Sequence, residues 1–192
     1  ANMSHEIRTP MTAILGFADL VLEEVSEPKS KDKLKVIQRN GRYLLEIIND
    51  ILDLSKIEAN RLSIENLHVD PVSVIDEVMQ LHQQRCDDRG LKLQVVHETA
   101  MPRTILTDPT RVKQIINNLI SNAIKFTPTG RVSLSVMAPE PGSTDWTFTV
   151  EDTGGGIDPE RMKTIFQPFG GSAPDTLGRA SGSGLGLSIT HD

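Results

Sequence analysis

Apolar residues recur every three or four positions over most of the first 60 residues, and this spacing constrains the fold more than any other sequence feature. Such spacing places side chains on one stripe of an α-helix, as in helical bundles. The polar stretch SEPKSKD, which contains Pro28, interrupts the pattern once. The sequence therefore predicts two helices joined by a short turn. The first stripe comprises Ile7, Met11, Ile14, Ala18, Val21 and Val25, and the second Leu34, Ile37, Gly41, Leu44, Ile48, Ile51 and Ser55, widened by Leu45 and Leu52.

A hairpin of two helices with such wide apolar stripes has little core of its own. A second copy would bury both stripes in a four-helix bundle, so the pattern favours a homodimer. The alternative is a hairpin that packs on another domain of the same chain.

The periodicity changes after residue 61, and we predict two domains, residues 1–61 and 62–192. Alternation over 62–67 is followed by a helix over Pro71–Asp87 and a strand over Leu91–Val96. A long amphipathic helix is predicted over Asp108–Phe126, with Asp108 as its N-cap and Pro109 at its first position. The segments RVSLSVM and WTFTVED read as two strands. Interleaved helices and strands predict an α+β fold, with an α/β sandwich as the second domain.

Composition removes several classes of function. The chain has 26 acidic and 20 basic residues and 4% aromatics, which argues against a nucleic-acid-binding surface. The single Cys86 excludes an internal disulfide, and we predict that it is semi-buried on a helix. No apolar run reaches the roughly 20 residues that span a bilayer. We therefore expect a soluble, cytoplasmic segment, with any membrane anchor of the full-length protein outside it.

The segment NNLISNAIKF carries a polar stripe on the predicted long helix. Asn118, Asn122 and Lys125 follow each other at spacings of four and three, so they share one face. Amide oxygens suit a hard cation such as Mg²⁺, and a lysine suits phosphate. Read alone, the same stripe is compatible with a solvated helix face.

Two glycine-rich segments follow. In VEDTGGGID, a strand delivers Asp152 into a turn that includes Gly154 and Gly156, where a flat ligand can approach the backbone. In GSGLGLSI, glycines lead into a helix start, where free amides bind phosphate. Taken individually, VEDTGGGID is compatible with an ordinary turn, and GSGLGLSI is better explained as a flexible loop.

Taken together, the segments from residue 62 to the end resemble the ATP-binding domain of sensor histidine kinases, which has the Bergerat fold of gyrase-type ATPases. NNLISNAIKFTPTG resembles the Asn-rich box of that family, DTGGGI and GSGLGLSI its two glycine boxes, and IFQPF its phenylalanine box. The resemblance implies that Asn122 binds Mg²⁺ bridging the triphosphate, with Asn118 beside it. It further implies that Lys125 contacts phosphate and that Asp152 recognises the adenine amine. The remaining implied ATP-binding residues are Gly154, Gly156, Gly182, Gly184 and Gly186; Arg179 either reaches a phosphate or is simply solvated.

The segment SHEIRTP near the start resembles the phosphoacceptor motif of the same family. The resemblance makes His5 the nucleophile that receives the γ-phosphoryl group. Glu6 is then placed to hold or deprotonate the other ring nitrogen. Thr9, on the same helix face as His5, matches the position that helps to place water for dephosphorylation of a partner. Pro10 is expected to bend the helix.

The resemblance implies an ATP-dependent protein-histidine kinase that autophosphorylates His5 in a homodimer and passes the phosphoryl group to a response-regulator receiver aspartate. Phosphatase activity toward the receiver and an upstream sensor domain outside these residues are also implied, and SHEIRTPM has the character of a hybrid kinase. The alternative is a nucleotide-gated binding module without phosphorylation. An ATP-hydrolysing clamp is disfavoured, because position 118 carries an amide rather than a water-activating carboxylate.

Overall fold

The computed structural model describes residues 2–140, 143–170 and 184–191, with side chains from Glu6 onward. The described residues separate into two compact units. One belongs to Ala1–Leu62 and Thr164–Asp192, and the other is Ser63–Lys163. In the part of the chain that the structure describes, no helix has the length and apolar character needed to cross a bilayer.

The first unit is built on an antiparallel hairpin of α1 (Asn2–Glu24) and α2 (Pro28–Glu58). The second helix begins inside the segment predicted as the break, because Pro28 occupies its first turn, where a missing N–H costs nothing. The helices approach closely at Gly41, where a Cβ atom would lie 2.8 Å from Leu15 Cδ2. Gln38 is buried and donates to Asp19 Oδ1 over 2.5 Å, which fixes the register of the hairpin.

The predicted apolar stripes divide in two. Ala18 and Gly41 lie buried between the two helices, and Leu15 and Leu45 are half-buried. Many of the other residues in the predicted stripes are exposed on the hairpin. Phe17, Leu20 and Val36, which the predicted stripes did not include, are exposed as well. The exposed apolar side chains of the hairpin are Ile14, Phe17, Leu20, Val21, Val36, Ile37, Leu44 and Ile51.

The same unit ends with α6 (Gly186–His191), which packs against α2. The ring of His191 lies 5.3 Å from that of Phe166. Leu185, which precedes α6, is fully buried.

The second unit places two helices on a three-stranded sheet. Its remaining elements are β1 (Leu67–Val69), α3 (Pro71–Asp87), β2 (Leu91–His97), β3 (Ile105–Thr107), α4 (Pro109–Phe126), β4 (Gly130–Met137), β5 (Thr147–Asp152) and α5 (Pro159–Met162). The sheet order is β2-β4-β5, with β2 parallel to β4 and β4 antiparallel to β5, and β1 pairs separately with β3. The core between α3, α4 and the sheet includes Ile75, Val78, Cys86, Ile116, Ile120, Ile124, Val132, Leu134 and Val136.

Asp-Pro pairs start both α3 and α4, and Asp108 is the N-cap of α4 as predicted. Asp70 accepts from the N–H of Val72 over 2.9 Å, and Asp108 accepts from those of Thr110 and Arg111 over 2.9 and 3.1 Å. The predicted spans of α3 and α4 are therefore confirmed. Alternation over 62–67 did not give a strand, because β1 begins only at Leu67, where it finds β3 as a partner. Cys86 is fully buried rather than semi-buried.

Candidate functional site

The polar stripe of α4 lies opposite its apolar face. Side chains at spacings of four and three fall within an arc of about 60° on a helix. Asn118, Asn122 and Lys125 occupy that arc and are half-buried. The three isoleucines that face the core, Ile116, Ile120 and Ile124, lie on the other side of the helix. The residues of the stripe therefore do not pack in the core, and they present two amides and a cation on the opposite side of α4.

Asp152 ends β5 next to the C-terminal end of α4. Its Oδ1 accepts from the N–H of Gly154 over 2.7 Å and from the hydroxyl of Thr127 over 3.3 Å. Thr127 follows the last residue of α4 and is fully buried. These bonds fix one carboxylate oxygen and leave the exposed carboxyl able to accept another hydrogen bond.

Gly154 permits the close approach of the turn to α4. A Cβ atom there would lie 2.5 Å from the carbonyl oxygen of Phe126 and 2.7 Å from Asp152 Oδ1. Any other residue would push the turn away from the helix end. Gly156 has φ +71°, which side-chain-bearing residues rarely adopt, and it borders open space.

The carboxylate and the amides lie at successive positions along the axis of α4, which are called here the path along α4. Asp152 lies at the Phe126 end, and Asn122 and Asn118 follow one and two turns back toward the N-terminus. Eight residues of helix separate Asn118 from Phe126, or about 12 Å at 1.5 Å per residue. A ligand with a flat base at one end and an anionic tail at the other matches this path.

Three basic side chains, Lys125, Arg161 and Arg85, lie close enough to interact electrostatically at the C-terminal end of α4. The ammonium of Lys125 lies 4.5 Å from the centre of the Phe126 ring. Burial lowers the pKa of Lys125, and the charges of Arg161 and Arg85 lower it further. These three cations create a positive potential that favours an anionic ligand.

The remaining predicted glycines belong to the other compact unit. Gly184 has φ +72°, and its carbonyl accepts from the N–H of Phe169 over 3.0 Å. Gly186 is the first residue of α6. Arg179 and Gly182 lie outside the described residues.

The predicted phosphoacceptor segment is helical. His5 is the fourth residue of α1, and its side chain lies outside the description. Glu6 and Thr9 are exposed on the same helix, and Pro10 lies inside it.

Sequence reasoning missed two parts of this arrangement. Thr127 and the Phe126 carbonyl connect α4 to Asp152 and Gly154. Their position within the Asn-rich box was the available signal, but their contacts are tertiary. His82, buried on α3, was also missed; its Nε2 lies 2.8 Å from Asn117 Oδ1, next to the polar stripe. Burial lowers the pKa of His82, with an opposing effect from this hydrogen bond.

Comparison with protein families gives two matches. Residues 1–60 match the His Kinase A (phospho-acceptor) domain, and residues 107–192 match the family described as histidine kinase-, DNA gyrase B- and HSP90-like ATPase. Histidine-protein kinase BarA of Escherichia coli (strain K12) is 40% identical over 193 residues, which cover 100% of this chain and 21% of BarA. The chain thus spans about a fifth of the length of this curated relative.

Solved structures are also similar. Full-length ShkA in complex with AMPPNP has a TM-score of 0.75 and 32% identity, over 98% of this chain and 38% of ShkA. The histidine kinase ThkA in complex with the response regulator TrrA has a TM-score of 0.57 and 26% identity, over 88% of this chain and 48% of ThkA. The predicted fold class, a helical hairpin followed by an α/β nucleotide-binding domain, is confirmed. The chain thus combines a His Kinase A (phospho-acceptor) domain with a domain of the histidine kinase-, DNA gyrase B- and HSP90-like ATPase family, and it is similar over its whole length to part of the histidine kinase BarA.

Proposed function

We propose that this chain is the kinase core of an ATP-dependent protein-histidine kinase that autophosphorylates His5 and passes the phosphoryl group to a receiver aspartate. The observation that carries the proposal is the path along α4, with Asp152 at one end and the amides of Asn122 and Asn118 at the other. Its length suits a nucleotide whose base lies at the Asp152 carboxylate and whose phosphates lie along the amides.

Asp152 would accept a hydrogen bond from the exocyclic amine of adenine. The bonds from Gly154 and Thr127 orient the carboxylate before the base arrives, and Gly156 leaves room for the base. Lys125 would bind phosphate oxygens. The resemblance also implies that Gly182, Gly184 and Gly186 would shape the loop near the phosphates, with Arg179 as a further phosphate contact.

The polar stripe also fits a Mg²⁺ ion. Amide oxygens are hard ligands of the kind that Mg²⁺ accepts alongside phosphates and water. Among the described residues, no three His, Cys, Asp or Glu side chains group into a metal site. The ion would therefore depend on Asn122, supported by Asn118, and on the triphosphate itself. When bound, it would neutralise charge on the transferring phosphate.

In the transfer step, a ring nitrogen of His5 attacks the γ-phosphorus as the bond to the β–γ bridging oxygen breaks, and ADP departs with that electron pair. Glu6 accepts the proton that the other ring nitrogen releases. The receiver aspartate then takes the phosphoryl group from the imidazole. For the reverse task, Thr9 would orient a water molecule that attacks the aspartyl phosphate of the receiver, which gives the chain phosphatase activity.

The hairpin would act as a homodimer. Ile37, Leu44 and Ile51 recur at seven-residue intervals and are exposed on α2, and Ile14 and Phe17 are exposed on α1. Such a stripe is typical of a helical seam that a second hairpin completes. In the full-length protein, a sensor domain outside these residues would control this dimer.

Labelled ATP tests the proposal. Incubation of the full chain with γ-labelled MgATP should give an acid-labile, base-stable phosphoprotein. The His5→Gln variant should remain unlabelled although it binds ATP with the wild-type Kd. Label of wild-type yield on His5→Gln would refute the proposal, and tight ATP binding by an unlabelled wild type would favour a nucleotide-gated binding module.

A further inference from the structure

Arg8 and Asn49 connect the two helices of the hairpin near the phosphoacceptor. Arg8 Nη2 donates to Asn49 Oδ1 over 3.1 Å. Both residues are exposed, so the pair contributes little apolar burial. The bond follows the same antiparallel register as the one between Gln38 and Asp19. Arg8 is therefore held in one direction by α2 rather than left to sample many rotamers.

The position of Arg8 along α1 puts it near the reacting group. It follows His5 by three residues, which on a helix means about 60° of rotation and about 4.5 Å along the axis. Residues three apart are neighbours on a helix surface, as are residues four apart, such as His5 and Thr9. His5, Arg8 and Thr9 thus share one face of α1.

The partner of Arg8 is neutral. Arg8 forms no ion pair with any carboxylate among the described residues, and an amide oxygen orients the guanidinium without cancelling its charge. The contrast lies on the same hairpin, where Arg42 lies 3.5 Å from the carboxylate of Asp19. A cation fixed by a neutral group keeps its full attraction for an anion, and a guanidinium fork matches phosphate geometry.

We propose that Arg8 is a further catalytic residue, which binds the oxygens of the phosphoryl group in transit to or from His5, and that Asn49 is its positioning residue. The proposal rests on the proposed phosphorylation of His5 and adds a role that the motif resemblance did not assign. Arg8 donates hydrogen bonds to oxygens of the γ-phosphoryl group while the bond to the bridging oxygen of ADP breaks and the bond to the His5 nitrogen forms.

The first test replaces the guanidinium. At saturating MgATP, Arg8→Gln should slow formation of phospho-His5 by about 10- to 100-fold, the effect of losing charge-assisted hydrogen bonds. The KM for ATP should not change, because the proposed nucleotide path is built on α4 and β5. Arg8→Lys should lose less, since it keeps the charge without the fork. Arg42→Gln is the matched control and should phosphorylate at the wild-type rate.

The second test changes the positioning residue, Asn49, in a way that should not lower the phosphorylation rate if its role is purely structural. Asn49→Asp keeps an acceptor for Arg8 and adds an ion pair, so the melting temperature should be unchanged or higher. Its phosphorylation rate should nevertheless fall by about tenfold, because the guanidinium is then neutralised. If Arg8 and Asn49 only join the helices, Asn49→Asp will phosphorylate normally.

The outcomes separate this inference from the function on which it rests. An unlabelled wild type would defeat the proposed kinase activity itself. A labelled wild type with Arg8→Gln as fast as Arg42→Gln, or with Asn49→Asp at the wild-type rate, would overturn the role of Arg8 and leave the kinase intact. If the phosphorylation rate of Arg8→Gln falls and a lowered melting temperature accounts for the whole fall, the proposed role of Arg8 is also overturned.

Discussion

The helical hairpin and the sheet unit differ in how completely they bury their apolar side chains. In the sheet unit, Ile116, Ile120 and Ile124 have no exposed surface, and α3, α4 and the sheet form a continuous core. In the hairpin, Phe17 is 69% and Ile51 43% exposed, and the residues that α1 and α2 bury most completely among those described are the small or polar Ala18, Gln38 and Gly41. The sheet unit buries its large core side chains within one unit, whereas the hairpin leaves a row of apolar side chains exposed that a partner could cover. That division suits a protein in which one region binds a ligand and the other forms a dimer.

The largest expected effect concerns the two cores. Ile120→Ala should lower the free energy of unfolding of the sheet unit by about 2–5 kcal/mol, because it leaves a cavity in a closed core. Ile51→Ala, the matched change on the hairpin, should leave this transition unaltered. Trp146 is the single tryptophan and packs against the core, so its fluorescence during urea unfolding reports on this unit. Equal changes in the free energy of unfolding for Ile120→Ala and Ile51→Ala would contradict the difference between the sheet unit and the hairpin.

The hairpin should depend on its second copy. Leu44→Glu should raise the dimer dissociation constant by about a hundredfold or more, because a carboxylate would enter an apolar seam. Sedimentation equilibrium measures the change, and Lys35→Glu on an exposed position of α2 serves as the control. A dimer that tolerates Leu44→Glu would mean that this stripe instead covers another part of the same chain.

The end of β5 should matter for the nucleotide and not for the fold. Asp152→Ala should raise the Kd for ATP by about 10- to 100-fold, as expected for loss of a hydrogen bond to a charged acceptor. Titration calorimetry gives the constant. Glu151→Ala, one residue earlier on the same strand, should bind ATP like the wild type. Similar losses in both variants would point to general damage to the strand.

Thr9 should distinguish the two directions of phosphoryl transfer on the hairpin. Thr9→Ala should largely preserve autophosphorylation and lower receiver dephosphorylation by about tenfold, the low end for loss of an oriented general acid-base interaction. Both rates and the melting temperature are measured on the same variant. Parallel losses in both rates with a lower melting temperature would reduce Thr9 to a structural role beside Pro10.

The smallest effect concerns acid stability of the sheet unit. Burial disfavours the charged form of Asp108, but hydrogen bonds from the N–H groups of Glu65, Arg111 and Thr110 outweigh it and hold the pKa of this carboxyl below its usual value. The stabilisation is therefore complete above the unfolded-state pKa of about 4 and is lost as the pH falls through the lower folded-state pKa. Asp108→Asn keeps an N-cap, so it should cost less than about 1 kcal/mol at pH 7 and show a shallower loss of stability below pH 4. Urea unfolding at pH 7 and at pH 3 checks this; parallel pH profiles would contradict it.

Helices with strong local signals were predictable from the sequence. Asp70 and Asp108 cap α3 and α4, and the following prolines mark the first turns, so both spans are confirmed. The short strand β3 was not predicted, because its three residues are defined by pairing with β1 rather than by a local pattern. Helical spacing identified the stripes of the hairpin but not which half faces the partner helix, which depends on the close approach at Gly41.

The candidate site was predictable as separate parts rather than as an arrangement. Periodicity placed Asn118, Asn122 and Lys125 on one face of α4 because that relation is local. The connection of Asp152 through Thr127 to the end of α4 joins residues 25 positions apart, so only the fold reveals it. The roles of these residues and the boundary at residue 61 stay predictions, which the variants above test.

In the proposed function, the sheet unit supplies ATP to one histidine of the hairpin. The most direct measurement is localisation of phosphate by mass spectrometry, under neutral to alkaline conditions, after incubation of the full chain with MgATP. We predict a single modified residue, His5, in the wild type. The Asp152→Ala variant should show no modification at an ATP concentration well below the Kd of that variant for ATP. Phosphate on a serine, threonine or another histidine, with His5 unmodified, would contradict it.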